Sequence, residues 1–262
     1  AYRAAAGTSL VSPGNDPTLR ILMDHATRHK VAVEPISFSS RDVAADVARV
    51  AREREADLVL IGFHKPVFGK TILGGVVHRV LTSVDADVGV FVDRGFLGAR
   101  RVLVPFTGDS HDRLAIRLAH RLLKNVNAEV TVLHVVPPKG ADAGDALEAV
   151  RREFQGAGKE PSPSIRFDIV QDASPVDAVL REAQKGYDLV LIGVSEEWGL
   201  ESHLFGFRPE RIAEKVGCSL LIVRRHKQMI ATLAAPALPA QEPATHTPAP
   251  PPPKPIASQS SA

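Results

Sequence analysis

Two stretches of the sequence, ADLVLIGFHKPVFGKTILGGVVHRVLTSVDADVGVFVDR at 56–94 and YDLVLIGVSEEWGLESHLFGFRPERIAEKVGCSLLIVRR at 187–225, align without a gap. Asp57 meets Asp188, and the offset between the two copies then stays constant to the end of both stretches. Each copy holds an apolar run, a glycine, a loop of fixed length, a second glycine, a helical pattern and a final apolar run. This repeat predicts two copies of one strand–loop–helix–strand unit.

The rest of the chain also alternates strand-like apolar runs with helical patterns. Val43, Val47 and Val50, for example, lie on one face of a predicted helix. Short apolar strands separated by helices indicate a parallel α/β sheet that helices cover on both faces. The predicted strands are residues 31–39, 57–62, 87–93, 100–106, 129–136, 164–171, 187–193 and 218–225.

The loop that ends in Gly69-Lys70-Thr71 follows a predicted strand and precedes a predicted helix, as a phosphate-binding P-loop does. A P-loop needs four residues between its two glycines, so that backbone N–H groups surround a phosphate. The position of the first glycine is occupied here by His64, and Pro66 removes a backbone donor. The spacing therefore argues against an NTPase, and we interpret Lys70 and Thr71 as residues of a solvated loop.

The repeated unit resembles the universal stress protein domain. Nucleotide-binding members of that family carry G-x-x-G, nine residues and then G-[ST] after the fourth strand, which lets backbone and hydroxyl groups reach phosphates. The first and last glycines of this motif are present in both copies, as Gly62 and Gly75 and as Gly193 and Gly206. The resemblance covers about residues 16–225. It implies an α/β fold of two universal stress protein-like (adenine nucleotide alpha hydrolase-like) parallel-sheet domains in tandem.

Both copies depart from the nucleotide-binding motif. The middle glycine is replaced by Lys65 in the first copy and by Glu196 in the second, and the Ser/Thr position holds Val76 and Phe207. The Asp that the family places after its first strand corresponds to Thr107. Because Glu196 adds a charge that repels phosphate, the resemblance implies the fold more strongly than it implies a site for ATP or AMP.

The repeat also predicts domain boundaries. We expect a partial universal stress protein-like domain at 1–97, a second such domain at 98–228 and a disordered Pro/Ala-rich tail at 229–262. The second unit begins near Arg101, and the equivalent strand of the first unit falls before Ala1. The first domain is therefore expected to be N-terminally truncated and to expose an apolar edge.

Several segments also resemble the cytoplasmic C-terminal region of the monovalent cation:proton antiporter-2 superfamily. Members of this superfamily carry a Phe-His-Lys after a strand, a VGVFVDRG-like strand and a Gly-rich turn with an acidic pair before the next helix. The corresponding residues are Phe63-His64-Lys65, 88–95, Gly108-Asp109 and Asp112-Arg113. The resemblance implies that a membrane exchanger domain of the same protein precedes two stress-protein-like units, which places this region on the cytoplasmic side of the membrane.

The composition excludes several classes of function. Hydrophobic residues make up 44% and charged residues 24%, which is ordinary for a globular protein. A net charge of +2 and only 5% aromatic residues give no basis for nucleic-acid binding. Cys218 is the single cysteine, so the chain forms no internal disulfide and no Cys-based zinc site. No apolar stretch approaches the roughly 18 residues of a membrane helix, and the N-terminus lacks a signal-peptide pattern.

The candidate binding residues follow predicted strands, where open α/β sheets bind ligands. His64 and Lys65 would hold an anionic ligand or, for His64, sense pH near neutrality; a solvated loop is the alternative. The full candidate set for a ligand such as an adenine nucleotide is Gly62, His64, Lys65, Gly75, Thr107, Gly108, Asp109, Gly193 and Gly206.

No catalytic or metal-binding residues are predicted. Ser110, His111 and Asp112 are neighbours that point apart at a helix start, so a helix cap explains them better than a catalytic triad. His25 and His29 lie four residues apart on a predicted helix, and a solvated face is the preferred interpretation over a metal site. His134 is expected to be a core histidine.

Two functional hypotheses remain. The first is a non-enzymatic regulatory region of a K⁺ or Na⁺/proton antiporter, in which the two units pack through their last strands and a ligand, a proton or a partner gates transport. The second is a soluble tandem universal stress protein that binds ATP or AMP. A homodimer is a further expectation. The segment 248–255 has the composition that SH3-like or WW-like domains bind, but a solvated tail is the preferred interpretation.

Overall fold

A computed structural model describes residues 17–63, 75–107, 112–138, 144, 147–148, 150–152, 164–194 and 209–226. The described residues belong to one compact unit that ends at His226. The helices are α1 (Pro17–Arg28), α2 (Val43–Glu53), α3 (Gly75–Ser83), α4 (Asp112–Val126), α5 (Pro175–Ala183) and α6 (Pro209–Lys215). The strands are β1 (Leu58–Gly62), β2 (Asp87–Val92), β3 (Arg101–Phe106), β4 (Glu129–Val136), β5 (Ile165–Gln171), β6 (Leu189–Val194) and β7 (Ser219–Arg224).

The seven strands form one sheet in the order β1-β2-β7-β6-β3-β4-β5. Every neighbouring pair is parallel except β2 and β7, which are antiparallel. The first half of the chain supplies β1 and β2, and the second half supplies β3 to β7. The predicted α/β class with a parallel sheet in each half is thus confirmed.

The predicted strand at 31–39 is wrong. Only Phe38 makes a bridge, and the rest of this segment has no regular structure. The segment aligns in the repeat with β5, which forms because β4 pairs with it along its length. No described strand of the first half takes the place of β4, so among the described residues this segment has no strand to pair with along its length, apart from the bridge at Phe38.

The antiparallel contact joins the two halves through their last strands, as the sequence predicted. Val88 pairs with Arg224, Val90 with Ile222 and Val92 with Leu220. The strands within each half are parallel to one another. Because the contact between the halves is antiparallel, the strands of one half run opposite to those of the other. The two copies are therefore related by an approximate twofold axis that passes between β2 and β7.

Two arginines cross this junction in opposite directions. Arg224 of β7 is 2% exposed and donates from Nη2 to the carbonyl oxygens of Val84, at 2.7 Å, and Ala86, at 3.0 Å. Arg94, just after β2, donates in turn to the carbonyl of Ala213 in α6. Hydrogen bonds from a charged donor are stronger than neutral ones, so each arginine ties its own half to the other.

Polar contacts at the strand ends repeat the same exchange. The backbone N–H of His226 donates to Asp87 Oδ1 at 2.8 Å, and that of Arg94 donates to Ser219 Oγ at 2.9 Å. Arg117 of α4 adds an ion pair to Asp87 at 2.8 Å. Asp87, the first residue of β2, thus binds the segment that follows β7, and Ser219, the first residue of β7, binds the segment that follows β2.

The two faces of the sheet are covered unequally. Helices α2, α3, α5 and α6 cover one face, and they contact a continuous core that includes Val88, Val90, Ile192 and Ile222. On the other face, called the α4 face here, α4 covers Val102, Val104, Leu189 and Leu191, among others. Towards β1 the α4 face becomes exposed, which agrees with the apolar exposure expected of the first domain.

Candidate functional site

The predicted binding residues divide between two opposite edges of the sheet. Because β2 and β7 are antiparallel, the carboxyl ends of β1 and β2 lie at one edge and those of β3 to β7 at the other. Gly62 ends β1, and Gly75 begins α3 after the loop that leaves this strand. Thr107 follows β3, and Gly193 lies near the end of the adjacent β6. Two separate sites, one in each half, are therefore the arrangement that the fold permits.

Other predicted site residues lie outside the described residues and stay predictions. They include the charged pair after β1 and the glycine-rich turn before α4. The residues concerned are His64, Lys65, Gly108, Asp109 and Gly206. The segment 69–71, interpreted from the sequence as a solvated loop, also lies outside the described residues.

A buried carboxylate accepts two hydrogen bonds from Thr107, a predicted binding residue of the second half. Asp112, the first residue of α4, is 2% exposed. Its Oδ2 accepts the backbone N–H of Thr107 at 2.7 Å and the Thr107 hydroxyl at 2.9 Å. The Thr107 side chain, at the position of the family's Asp, thus donates to a neighbouring carboxylate. Asp112 was assigned a capping role from the sequence, and its bridge back to β3 was not predicted.

His134 lies beside this site on β4, in register with Phe106 of β3. Its Nδ1 is 2.7 Å from the Phe106 carbonyl oxygen, and the two rings lie 5.9 Å apart. The histidine is half-buried and not fully buried, so it lies at the margin of the core and not in the core position expected from its apolar neighbours. The hydrogen bond orients the imidazole and leaves Nε2 as the ring nitrogen furthest from the backbone.

The described atoms around Gly62 and Gly75 leave room for a side chain, so crowding does not explain why these positions are glycine. A Cβ at Gly62 or at Gly75 would meet no heavy atom within 4 Å, and neither residue has the positive φ that favours glycine. His78, on the exposed side of α3, accepts the Thr82 hydroxyl through its carbonyl at 3.0 Å. That Gly62 and Gly75 let a ligand come close to the backbone therefore stays a prediction.

A buried charged cluster lies at the opposite, amino-terminal ends of β5 and β6. Glu182 is 5% exposed and accepts from Lys185 Nζ at 2.6 Å and from the Tyr187 hydroxyl at 2.8 Å. Burial alone would raise the pKa of Glu182, but these two hydrogen bonds outweigh it, and the pKa lies below its ordinary value. Burial likewise raises the pKa of Tyr187. The cluster joins α5 to the sheet far from the predicted ligand edge, so its role is structural.

Cys218 and the His25–His29 pair are further reactive side chains among the described residues. Cys218 is half-buried just before β7, and burial raises the pKa of its thiol, which lowers its reactivity. His25 and His29 stack with ring centroids 6.0 Å apart on α1. No group of three His, Cys, Asp or Glu side chains in the described part of the chain is placed to hold a metal ion.

Comparison with known proteins accounts for the repeat. The sequence profile of the Universal stress protein family matches residues 6–91 and again residues 98–224. The chain belongs to this family. A universal stress protein from Archaeoglobus fulgidus shares its fold with a TM-score of 0.57 at 17% identity, over 79% of this chain and 77% of that one. Protein PA1789 from Pseudomonas aeruginosa does so with a TM-score of 0.51 at 16% identity, over 80% and 77%.

Curated relatives of this universal stress protein family member include membrane exchangers. Cation/H(+) antiporter 7 of Arabidopsis thaliana is 23% identical over 201 residues, which are 66% of this chain and 25% of the antiporter. Na(+)/H(+) antiporter NhaS5 of Synechocystis is 29% identical over 130 residues, which are 47% of this chain and 18% of that protein. The chain thus spans about a quarter or less of the antiporters that it matches. Among the described residues, no helix combines the length and the apolar character needed to cross a membrane.

Proposed function

We propose that this chain is the non-catalytic regulatory region of a monovalent cation (K⁺ or Na⁺)/proton antiporter, on the cytoplasmic side of the membrane. The observation that carries the proposal is the match to several antiporters over a similar, limited share of their length. The transport pathway belongs to the remaining three quarters of such a protein, and this region acts on it. The partner of the region is accordingly the membrane exchanger domain of the same protein.

The mechanism proposed is gating through a change in the relative free energies of two arrangements. A ligand shifts such an equilibrium only if its affinity differs between them. The Arg224 and Arg94 contacts join the halves into one sheet, so a ligand bound at either edge acts on a shared structure. The candidate ligands are an adenine nucleotide, another anion at His64 and Lys65, or a proton at His64.

Further parts of the proposal concern organisation. We assign residues 1–97 and 98–228 to the two stress-protein-like domains and residues 229–262 to a tail that offers a proline-rich segment to a partner. Because the last strands of both halves pair within the chain, a homodimer would have to form through another surface.

A soluble tandem universal stress protein that binds ATP or AMP is the second candidate. Universal stress protein MJ0531 of Methanocaldococcus jannaschii favours it, since the match at 23% identity covers 84% of that protein and 49% of this chain. The replacement of motif glycines by Lys65 and Glu196 counts against nucleotide binding in either candidate.

The size and location of the natural polypeptide distinguish the two candidates. An antibody raised against residues 101–117 is used to probe membrane and supernatant fractions of native cells. We expect a membrane-bound band far above the 28.1 kDa of this chain. A supernatant band close to that mass would contradict the antiporter proposal and favour the free-standing protein.

A further inference from the structure

The outer side of helix α4 carries a line of exposed basic side chains. Arg113, Arg117, Arg121 and Lys124 are spaced by four, four and three residues, so they follow one another along one side of the helix. The rise of about 1.5 Å per residue makes this line about 16 Å long. Asp112, the one acidic residue of α4, is buried at the start of the helix. These four basic side chains form the basic surface of α4.

Acidic side chains of neighbouring elements compensate only part of this charge. Arg117 forms an ion pair with Asp87 of β2 at 2.8 Å. Within the described residues, Arg121 and Lys124 have no carboxylate at ion-pair distance. Asp87 thus compensates one charge of the basic surface, and the two charges nearest the end of α4 stay uncompensated.

A second segment adds positive charge to the α4 face. Residues 147–152 pack on this face, because Val150 is 1% exposed and belongs to the core that α4 covers. Arg151 and Arg152 are exposed at the end of the segment, and Arg151 pairs with Glu148 at 3.5 Å. Arg152 therefore contributes a further positive charge beside the core of α4.

The helices on the opposite face of the sheet carry charges of both signs. Ion pairs join α2 to the turn after α3, α3 to the start of α2, and α6 to α5. These pairs are Arg52–Asp85, Arg79–Asp42 and Arg211–Asp177, with nitrogen–oxygen distances of 2.9, 2.6 and 3.4 Å. Opposite charges this close compensate each other at longer range. Within the described residues, positive charge is therefore concentrated on the α4 face.

We propose that the basic surface of α4 binds the anionic lipid headgroups of a bilayer. A bilayer that contains anionic lipids presents a plane of diffuse negative charge, which attracts each Lys or Arg side chain that comes within a Debye length of it. A straight line of long basic side chains on the convex outer side of a helix fits such a plane. In this arrangement α4 lies along the bilayer, and α2, α3, α5 and α6 face away from it.

The choice of a bilayer over an acidic protein rests on the proposed function. A membrane exchanger domain of the same polypeptide keeps this region close to the lipid surface, so even a modest attraction for each side chain is sufficient for contact. The basic surface itself rests only on the positions and charges of the α4 residues. Its binding to lipid can therefore be measured separately from cation exchange.

Flotation of the intact 262-residue chain with lipid vesicles tests the proposal. We expect binding to vesicles of phosphatidylglycerol and phosphatidylcholine at low ionic strength, and loss of this binding as NaCl is raised, because salt screens exposed charges. Vesicles of phosphatidylcholine alone should not bind. The double variant Arg121→Glu/Lys124→Glu should weaken binding by about thirtyfold or more, since each change removes an attracted charge and adds a repelled one.

Two further double variants are the controls. Arg41→Glu/Lys215→Glu changes the net charge of the chain by the same amount at exposed positions, one before α2 and one in α6, and should weaken binding by less than about threefold. Arg121→Lys/Lys124→Arg keeps both charges and should bind as the unchanged chain does, because diffuse charge does not require the planar fork of arginine. Circular dichroism checks that each variant is folded.

Three results would overturn the proposal. They are absence of binding to the anionic vesicles at low ionic strength, equal binding to neutral vesicles, and equal weakening by the two charge-reversal variants. Loss of binding in the charge-preserving variant would also contradict it and would indicate an acidic protein ligand held by paired hydrogen bonds. Failure in vesicles leaves the proposed function in place if the natural polypeptide is membrane-bound, whereas a supernatant band removes the proposed function whatever the vesicles show.

Discussion

Arg224→Met is expected to lower the free energy of unfolding by about 2–4 kcal/mol, because it removes a buried charged donor from two carbonyl oxygens. Arg224 is 2% exposed, and its Nη2 lies 2.7 Å from the Val84 oxygen and 3.0 Å from the Ala86 oxygen. Methionine keeps the aliphatic part of the side chain and cannot donate to either carbonyl. Both oxygens belong to the turn between α3 and β2, so the loss falls on the contact between the two halves.

Urea denaturation of the chain measures this change, and Arg225→Met is the matched control. Arg225 follows directly, is only half-buried, and should cost about 0.5 kcal/mol or less. Hydrogen exchange adds a local readout, because amides of β2 and β7 should exchange faster in Arg224→Met than in the control. Equal stability of the two variants would show that the arginine does not hold the junction.

Asp112→Ala is expected to lower the free energy of unfolding by about 2–3 kcal/mol, since it removes a buried carboxylate that accepts hydrogen bonds from a backbone N–H and from a hydroxyl. The carboxylate holds the N–H and the hydroxyl of Thr107 at 2.7 and 2.9 Å and sits at the start of α4. Its loss separates the end of β3 from the helix that covers one face of the sheet.

Thr107→Val separates the two contacts of Asp112. It removes the hydroxyl bond and keeps the backbone bond, so its cost should be about 1 kcal/mol and clearly below that of Asp112→Ala. Thermal unfolding of the three proteins, followed by circular dichroism, gives the order. If Thr107→Val is as damaging as Asp112→Ala, the backbone bond is not the main contribution of the carboxylate.

The repeat carries most of the predictable information about the fold. It places β1 beside β2 and β6 beside β7, since a strand, helix and strand of this length form a right-handed parallel unit. The apolar last strands pair with each other, and Val88 and Val90 of one copy share a single buried core with Leu220 and Ile222 of the other. A contact between equivalent strands is what a duplicated unit predicts.

Contacts that depend on strand order were not predictable from local pattern. The cluster of Glu182, Lys185 and Tyr187 looks in the sequence like a solvated helix end, and only the packing of α5 against the sheet buries Glu182 and Tyr187. The segment 31–39 shows the reverse error, because its alternation suggests a strand, whereas only Phe38 of this segment makes a bridge. A strand forms only beside another strand, which can be distant in the sequence. The periodicity of a segment does not show whether such a neighbouring strand is present.

Cation/proton exchange by the intact natural polypeptide is the measurement that tests the proposed regulatory role of this region. Everted membrane vesicles that carry it are given a pH gradient, and the collapse of this gradient on addition of K⁺ or Na⁺ is recorded over a range of pH. We expect the vesicles to show exchange. At equal protein levels, the pH profile or the half-maximal cation concentration of this exchange should differ between Arg224→Met and the control Arg225→Met. Exchange that is identical in both variants, or absent from the vesicles altogether, would contradict a regulatory role for this region.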